Sequence, residues 1–253
     1  MTLATLELDG LRYEYDDVPG LDDRAPLLFL HEGLGSVGLW RGFHQRIATA
    51  SGRRAVAYSR LGHGFSDLPP GPRLPSFMSD EASDVLPDLC AALGLDAPVL
   101  VGHSDGGTIA LLAAAGPVPV TGAVVLAPHT FVEQRGIDGI AAARTAYDGG
   151  GLRERMARHH RDADVTFRSW NDVWLAPEFR DWDVRGELSG ITAPVLAVQG
   201  DDDPYGTLAH VESVRERAHG DVRIVELGCG HSPHLERPDE TERAVVSFLA
   251  GLP

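Results

Sequence analysis

No lysine occurs anywhere in the 253 residues; all 22 basic side chains are arginine. Without an ε-amine the chain cannot form a lysine Schiff base, anchor pyridoxal phosphate or build a Walker phosphate loop. Cysteine is nearly as scarce. Cys90 and Cys229 are too few for a disulfide framework, so a reduced, cytoplasmic setting is expected. Positive charge is outnumbered by 37 acidic side chains, leaving a net −15. Such a surface repels a phosphate backbone, and no long basic stripe offsets it, so no nucleic-acid partner is expected. Long apolar runs are missing too: none approaches the roughly 18–20 residues that span a bilayer. Met1–Asp9 shows no basic segment leading into an apolar one, so neither a signal peptide nor membrane association is expected.

What is present is a globular composition, 43% hydrophobic and 23% charged, long enough for one α/β domain with a modest insertion. Leu27–Leu30, Ala55–Tyr58, Val99–Val101, Ala123–Leu126, Val195–Val198 and, less purely, Val222–Leu227 read as buried strands. Near-continuous apolar runs of this kind suit a mostly parallel sheet covered by helices on both faces. Glu81–Leu93, Thr108–Ala115, Thr207–Ala218 and Pro238–Leu252 have helical character, with Pro87 expected to kink the first of them. Leu3–Leu8 and Leu11–Tyr15, joined by Asp9-Gly10, predict an opening antiparallel hairpin.

The alternation stops between about 130 and 188. That stretch has no buried-strand run and holds Trp170, Trp174 and Trp182, three of the four tryptophans. It predicts a small helical cap inserted between two parts of a core, residues 1–129 and 189–253. Within it Arg153, Arg155, Arg158, His159, His160 and Arg161 form a local basic run, an ordinary solvated helix face or a patch that steers anions.

Three loops carry the chemistry, each following a buried strand, the edge where open α/β sheets bind ligands. Gly102-His103-Ser104-Asp105-Gly106 lies between a strand and an apolar helix, the context in which a sharp turn lifts a serine hydroxyl clear of a sheet. Gly200-Asp201-Asp202-Asp203-Pro204 and Gly230-His231-Ser232-Pro233-His234 offer a carboxylate and an imidazole in the order that such a nucleophile requires. His231 and His234 with Glu236 have no recognised metal-ligand spacing, so no metal is expected.

With His31-Glu32-Gly33-Leu34-Gly35 and Gly62-His63-Gly64-Phe65-Ser66-Asp67 placed earlier in order, the chain resembles the α/β-hydrolases over nearly its whole length. The resemblance implies an α/β-hydrolase fold, Ser104 as nucleophile, Asp203 as the acid and His231 as the base. Asp201 and Asp202 would be solvated loop carboxylates, and His234 a hydrogen-bonded packing residue. The oxyanion hole would use the backbone N–H of Asp105 and that of Gly33. Glu32 replaces the commoner glycine, which leaves Leu34 as a second candidate for that amide. The Asp105 carboxylate is expected to serve its helix dipole. His103 and His63 read as packing and turn residues, and Cys229 as a small buried thiol.

These residues imply a hydrolase, needing no cofactor, that cleaves an ester or thioester of a small apolar or aromatic acyl substrate. Leu34, Trp40, Trp170, Trp174 and Trp182 are expected at its pocket. Carbon–carbon or lactone hydrolysis uses the same groups, and a ligand receptor without turnover is the reading from another class. The partner is a small molecule, with homo-oligomerisation left open.

Overall fold

The computed structural model describes residues 3–21 and 23–253. Met1 and Thr2, the start of the segment read above for a leader, lie outside it, as does Asp22. The hairpin forms from β1 (Ala4–Leu8) and β2 (Leu11–Val18), with Asp9 and Gly10 both at positive φ, 51° and 77°. That is the backbone a two-residue hairpin turn demands. The chain continues through β3 (Leu27–Leu30), α1 (Phe43–Ser51) and β4 (Ala55–Tyr58). Next come α2 (Phe77–Asp80) and α3 (Leu86–Leu93), joined by a π-helical turn over Glu81–Val85. Pro87 explains that turn: it has no N–H to donate, and its ring crowds the carbonyl four residues back.

Strand β5 (Val99–His103) leads directly into α4 (Asp105–Ala115), and β6 (Gly122–Leu126) follows. The chain then leaves the sheet for α5 (Gln134–Asp148), α6 (Gly151–Met156) and α7 (Ala163–Leu175). It returns with β7 (Val195–Gly200), α8 (Ala209–Arg217) and β8 (Val222–Leu227), and closes with α9 (Pro233–Glu236) and α10 (Pro238–Leu249). Helix α1 has no counterpart in the sequence reading. Its polar letters hide His44, which is buried and sits 2.9 Å from Asp16 of β2.

The eight strands order as β1-β2-β4-β3-β5-β6-β7-β8. β2 is antiparallel to both β1 and β4, and every other pair is parallel. The continuous apolar runs divide between the two faces with period two. Leu28, Leu30, Val56, Tyr58 and Leu100 face α2, α3, α4, α8 and the inserted helices. Leu27, Phe29, Ala55, Ala57, Val99 and Val101 face α1 and α10. The parallel strands share one C-terminal edge, and the loops leaving it build the site. This is an α/β-hydrolase fold, a mostly parallel sheet flanked by helices with a helical insertion. Among the described residues no helix is long and apolar enough to cross a membrane.

Candidate active site

Ser104 stands in the turn between β5 and α4 at φ 53°, ψ −119°. A non-glycine residue there is strained, and the surroundings must impose the conformation. They do so through the flanking glycines. A Cβ on Gly102 would strike the carbonyl of Gly106, and one on Gly106 would strike that of Leu30 in β3. The Ser104 N–H is fixed by the Leu126 carbonyl at 2.9 Å.

The other two loops bring their groups to this hydroxyl. His231 Nε2 lies 2.9 Å from Ser104 Oγ, and His231 Nδ1 lies 2.8 Å from Asp203 Oδ2. Asp203 also accepts from the Tyr205 N–H and from Gln199 Nε2, each at 2.8 Å. Burial alone would raise its pKa; the bonds from His231, Tyr205 and Gln199 outweigh this and hold it at about 2. Asp203 is therefore an anion near neutral pH, which directs a proton to His231 Nδ1 and leaves Nε2 to accept from the serine. Asp202 is exposed, and Asp201 accepts from the Cys229 N–H at 3.1 Å.

The turn after β3 is built by the side chains around it. His31 Nδ1 donates to the Glu32 carbonyl at 2.7 Å, while its Nε2 accepts from the Arg60 N–H at 3.1 Å. Arg60 donates to the His31 and Glu32 carbonyls at 2.6 and 2.9 Å, and His63 Nε2 lies 3.0 Å from the Gly33 carbonyl. Peptide planarity then fixes the amides of Gly33 and Leu34, which point opposite to those carbonyls. Neither N–H has a hydrogen-bond partner among the described residues. A Cβ on Gly33 would run into the Trp170 indole, so this position admits only glycine.

Glu32 finds its counterpart in His103. Its Oε2 lies 3.5 Å from His103 Nδ1, and His103 Nε2 is 2.7 Å from the backbone carbonyl of His231. Burial works to raise the Glu32 pKa, but His103 overrides it and holds the carboxyl at about 2. The residue beside Ser104 thus ties the turn after β3 to the loop that carries His231.

A cavity of about 250 Å³ opens onto Ser104 and His231. Its walls are Leu34, Ile140, Trp170, Trp174 and Tyr205, with Glu32, Asp105 and His129. Two of the expected pocket residues do not reach it. Trp40 is 1% exposed and packs on Phe29 and Phe43 against α1, on the far face of the sheet. Trp182 stacks on Phe179 at 5.1 Å and braces Trp174 from behind. Counting tryptophans does not say which face each one takes.

Three wall residues had no place in the sequence reading. Tyr205 sits two positions past Asp203, and His129 three past the end of β6, so the strand-edge rule could have found both. Ile140 carried no signal.

His234 is buried, but its expected hydrogen bond is missing: it packs on Trp40, Phe43 and His103, and Nδ1 has no partner. Glu236 is taken by the Gly230 and Ser232 amides, so it does not converge with the two histidines. Cys229 is buried, and burial pushes its thiol up to about 11. The basic run is not one patch. His160 is buried between the Gly64 N–H and the Leu34 carbonyl, Arg153 pairs with Asp164, and Arg161 pairs with Asp67.

A sequence model of the alpha/beta hydrolase family matches residues 27–244. Curated relatives match a shorter stretch. Proline iminopeptidase of Lactobacillus delbrueckii subsp. lactis is 37% identical over 90 residues, 36% of this chain and 31% of that protein. The (lyso)-N-acylphosphatidylethanolamine lipase of Bos taurus is 36% identical over 93 residues, 36% of this chain and 26% of that protein. The matches thus span about a third of these relatives or less. Solved structures match end to end. A hydrolase from Pseudomonas aeruginosa PA01 superposes with a TM-score of 0.74 at 23% identity, covering 98% of both chains. The enol-lactonase of Burkholderia xenovorans LB400 gives 0.75 at 21% identity, over 98% of this chain and all of that one. At such identities the likeness is one of fold.

Proposed function

The chain belongs to the alpha/beta hydrolase family, and from that premise we propose that it is a serine hydrolase acting on an ester or thioester of a small acyl group. The observation that carries this reading is the line of contacts Asp203–His231–Ser104, at 2.8 and 2.9 Å. His231 Nε2 takes the proton from Ser104 Oγ as the oxygen attacks the substrate carbonyl. The developing oxyanion is received by the backbone N–H groups of Asp105 and Gly33. His231 then gives its proton to the leaving oxygen or sulfur, which departs and leaves the acyl group on Ser104. Water, deprotonated by His231, cleaves that acyl-enzyme and restores the serine. Asp203 stays ionised throughout and stabilises the imidazolium. No step calls for a cofactor.

The relatives' names span an iminopeptidase, an epoxide hydrolase and lipases, which supports hydrolysis in general and leaves the bond to the site itself. The 250 Å³ cavity with its indole walls supports a small acyl group. Labelling with a fluorophosphonate tests the nucleophile. The full chain takes up the reagent and hydrolyses short-chain esters, and Ser104→Ala loses both. Equal labelling of the two proteins would remove Ser104 from the reaction.

A further inference from the structure

One wall of the cavity holds a buried carboxyl group with no hydrogen-bond partner. Asp105 is 1% exposed, and neither carboxylate oxygen makes a hydrogen bond among the described residues. A buried carboxylate without partners is costly, and such groups are normally hydrogen-bonded or paired. None of its neighbours donates to it: Arg73, close enough for its charge to act on the group, sends its one side-chain hydrogen bond toward His63. Arg60 spends both terminal nitrogens on the His31 and Glu32 carbonyls, and Trp174 Nε1 has no hydrogen bond at all. Burial pushes the Asp105 pKa up, with Arg60, Arg73 and the nearby Trp174 indole opposing. The carboxylate therefore waits, desolvated, for a donor from the cavity.

The rest of the cavity says what that donor is. Its walls carry the rings of Trp170, Trp174 and Tyr205 and a second carboxylate, Glu32, which His103 already faces, while no arginine is among them. Anionic oxygens combined with electron-rich ring faces favour a cation, and a bulky one does not fit 250 Å³. We propose that the Asp105 carboxylate binds a protonated amine of the substrate, making the preferred substrate an α-aminoacyl ester or amide.

The position of the amine follows from covalent geometry. The reading rests on the serine-hydrolase assignment above, in which the Asp105 N–H receives the oxyanion. The carboxylate is carried by a single methylene on the same residue, so whatever it grips lies within a few ångströms of the reacting carbonyl. A nitrogen on the adjacent carbon meets that distance, and one at the end of a long chain does not. The free amine is retained through both chemical steps, and no oxidant or co-reactant is involved.

The test compares L-alanine benzyl ester, its N-acetylated form and benzyl propionate on the full chain, each rate divided by its hydroxide-catalysed rate. The wild type is expected to prefer the free-amine ester by about 10- to 100-fold in kcat/KM, the range set by one charge-assisted hydrogen bond. In Asp105→Asn the ratio of alanyl to propionyl ester falls toward one, whatever the change in absolute rate. A wild-type ratio of one or less, with Ser104 still labelled by fluorophosphonate, overturns the amine site and leaves the hydrolase reading standing. Asp105→Asn with the preference intact overturns it too, and returns Asp105 to a helix-dipole role. Loss of both labelling and turnover in the wild type brings down the hydrolase reading and this proposal with it. Should Asp105→Asn fail to fold, the free and acetylated esters on the wild type decide alone.

Discussion

His234 shows how one buried imidazole contributes to the acid sensitivity of the molecule. It is 4% exposed among Trp40, Phe43 and His103, and burial, aided by the charge of His103, lowers its pKa from 6.5 to about 3. The unfolded chain therefore binds a proton at this residue that the folded one refuses between pH 6.5 and about 3. Its contribution to stability is complete above pH 6.5 and declines as pH falls through that window. His160, lowered by burial to about 4, acts in the same sense. His234→Phe keeps the packing and sacrifices no hydrogen bond at Nδ1. Melting curves at pH 8 and pH 5 should show a smaller loss of Tm in this variant than in the wild type, with the His160 share remaining. Equal losses would place the acid sensitivity elsewhere.

At this scale the sequence was legible where covalent geometry left no choice. Ser104 between two glycines that a Cβ would drive into backbone carbonyls is such a case. It was illegible where a side chain chooses between two faces: Trp40 went to the α1 side of the sheet, and Trp182 went behind Trp174. Local letters do not record such choices.

Among the elements, the buried strands were plainest, because a parallel sheet covered on both faces demands uninterrupted apolar runs. Helix limits were blurred by chemistry the patterns do not carry. Helix α4 begins at Asp105 rather than Thr108 because the strained serine turn feeds directly into it. The long helix around Pro87 breaks into α2, a π turn and α3. Helix α7 carries Trp170 and Trp174 into the cavity, and its first turn depends on Asp162, whose carboxylate accepts from the Asp164 and Val165 amides at 3.0 Å. Asp162→Ala removes that cap at a cost of about 1 kcal/mol. For a chain of this size Tm should fall by roughly 2–4 °C, read by calorimetry; an unchanged Tm would mean the helix is held by its packing alone.

For the whole molecule, the −15 net charge concerns encounter rather than fold. A molecule of net −15 attracts a cation over a distance set by the Debye length. The kcat/KM for alanine benzyl ester should decline as ionic strength rises from about 10 to 200 mM, as the Debye length shrinks from about 30 Å to under 10 Å. The value for benzyl propionate should stay flat. Parallel behaviour of the two esters would show that the field does not reach the entrance.

The inserted helices are sewn to the core where it counts. His160 bridges the Gly64 amide and the Leu34 carbonyl, Thr166 donates to the Gly62 carbonyl, and Arg161 holds Asp67 and the Phe65 carbonyl. The loop they grip contains His63, which in turn sets the Gly33 carbonyl. Anyone retailoring this scaffold by exchanging the inserted helices for others would therefore be editing the turn that holds Gly33 as well. A transplant that ignores residues 62–67 would leave that turn without its brace.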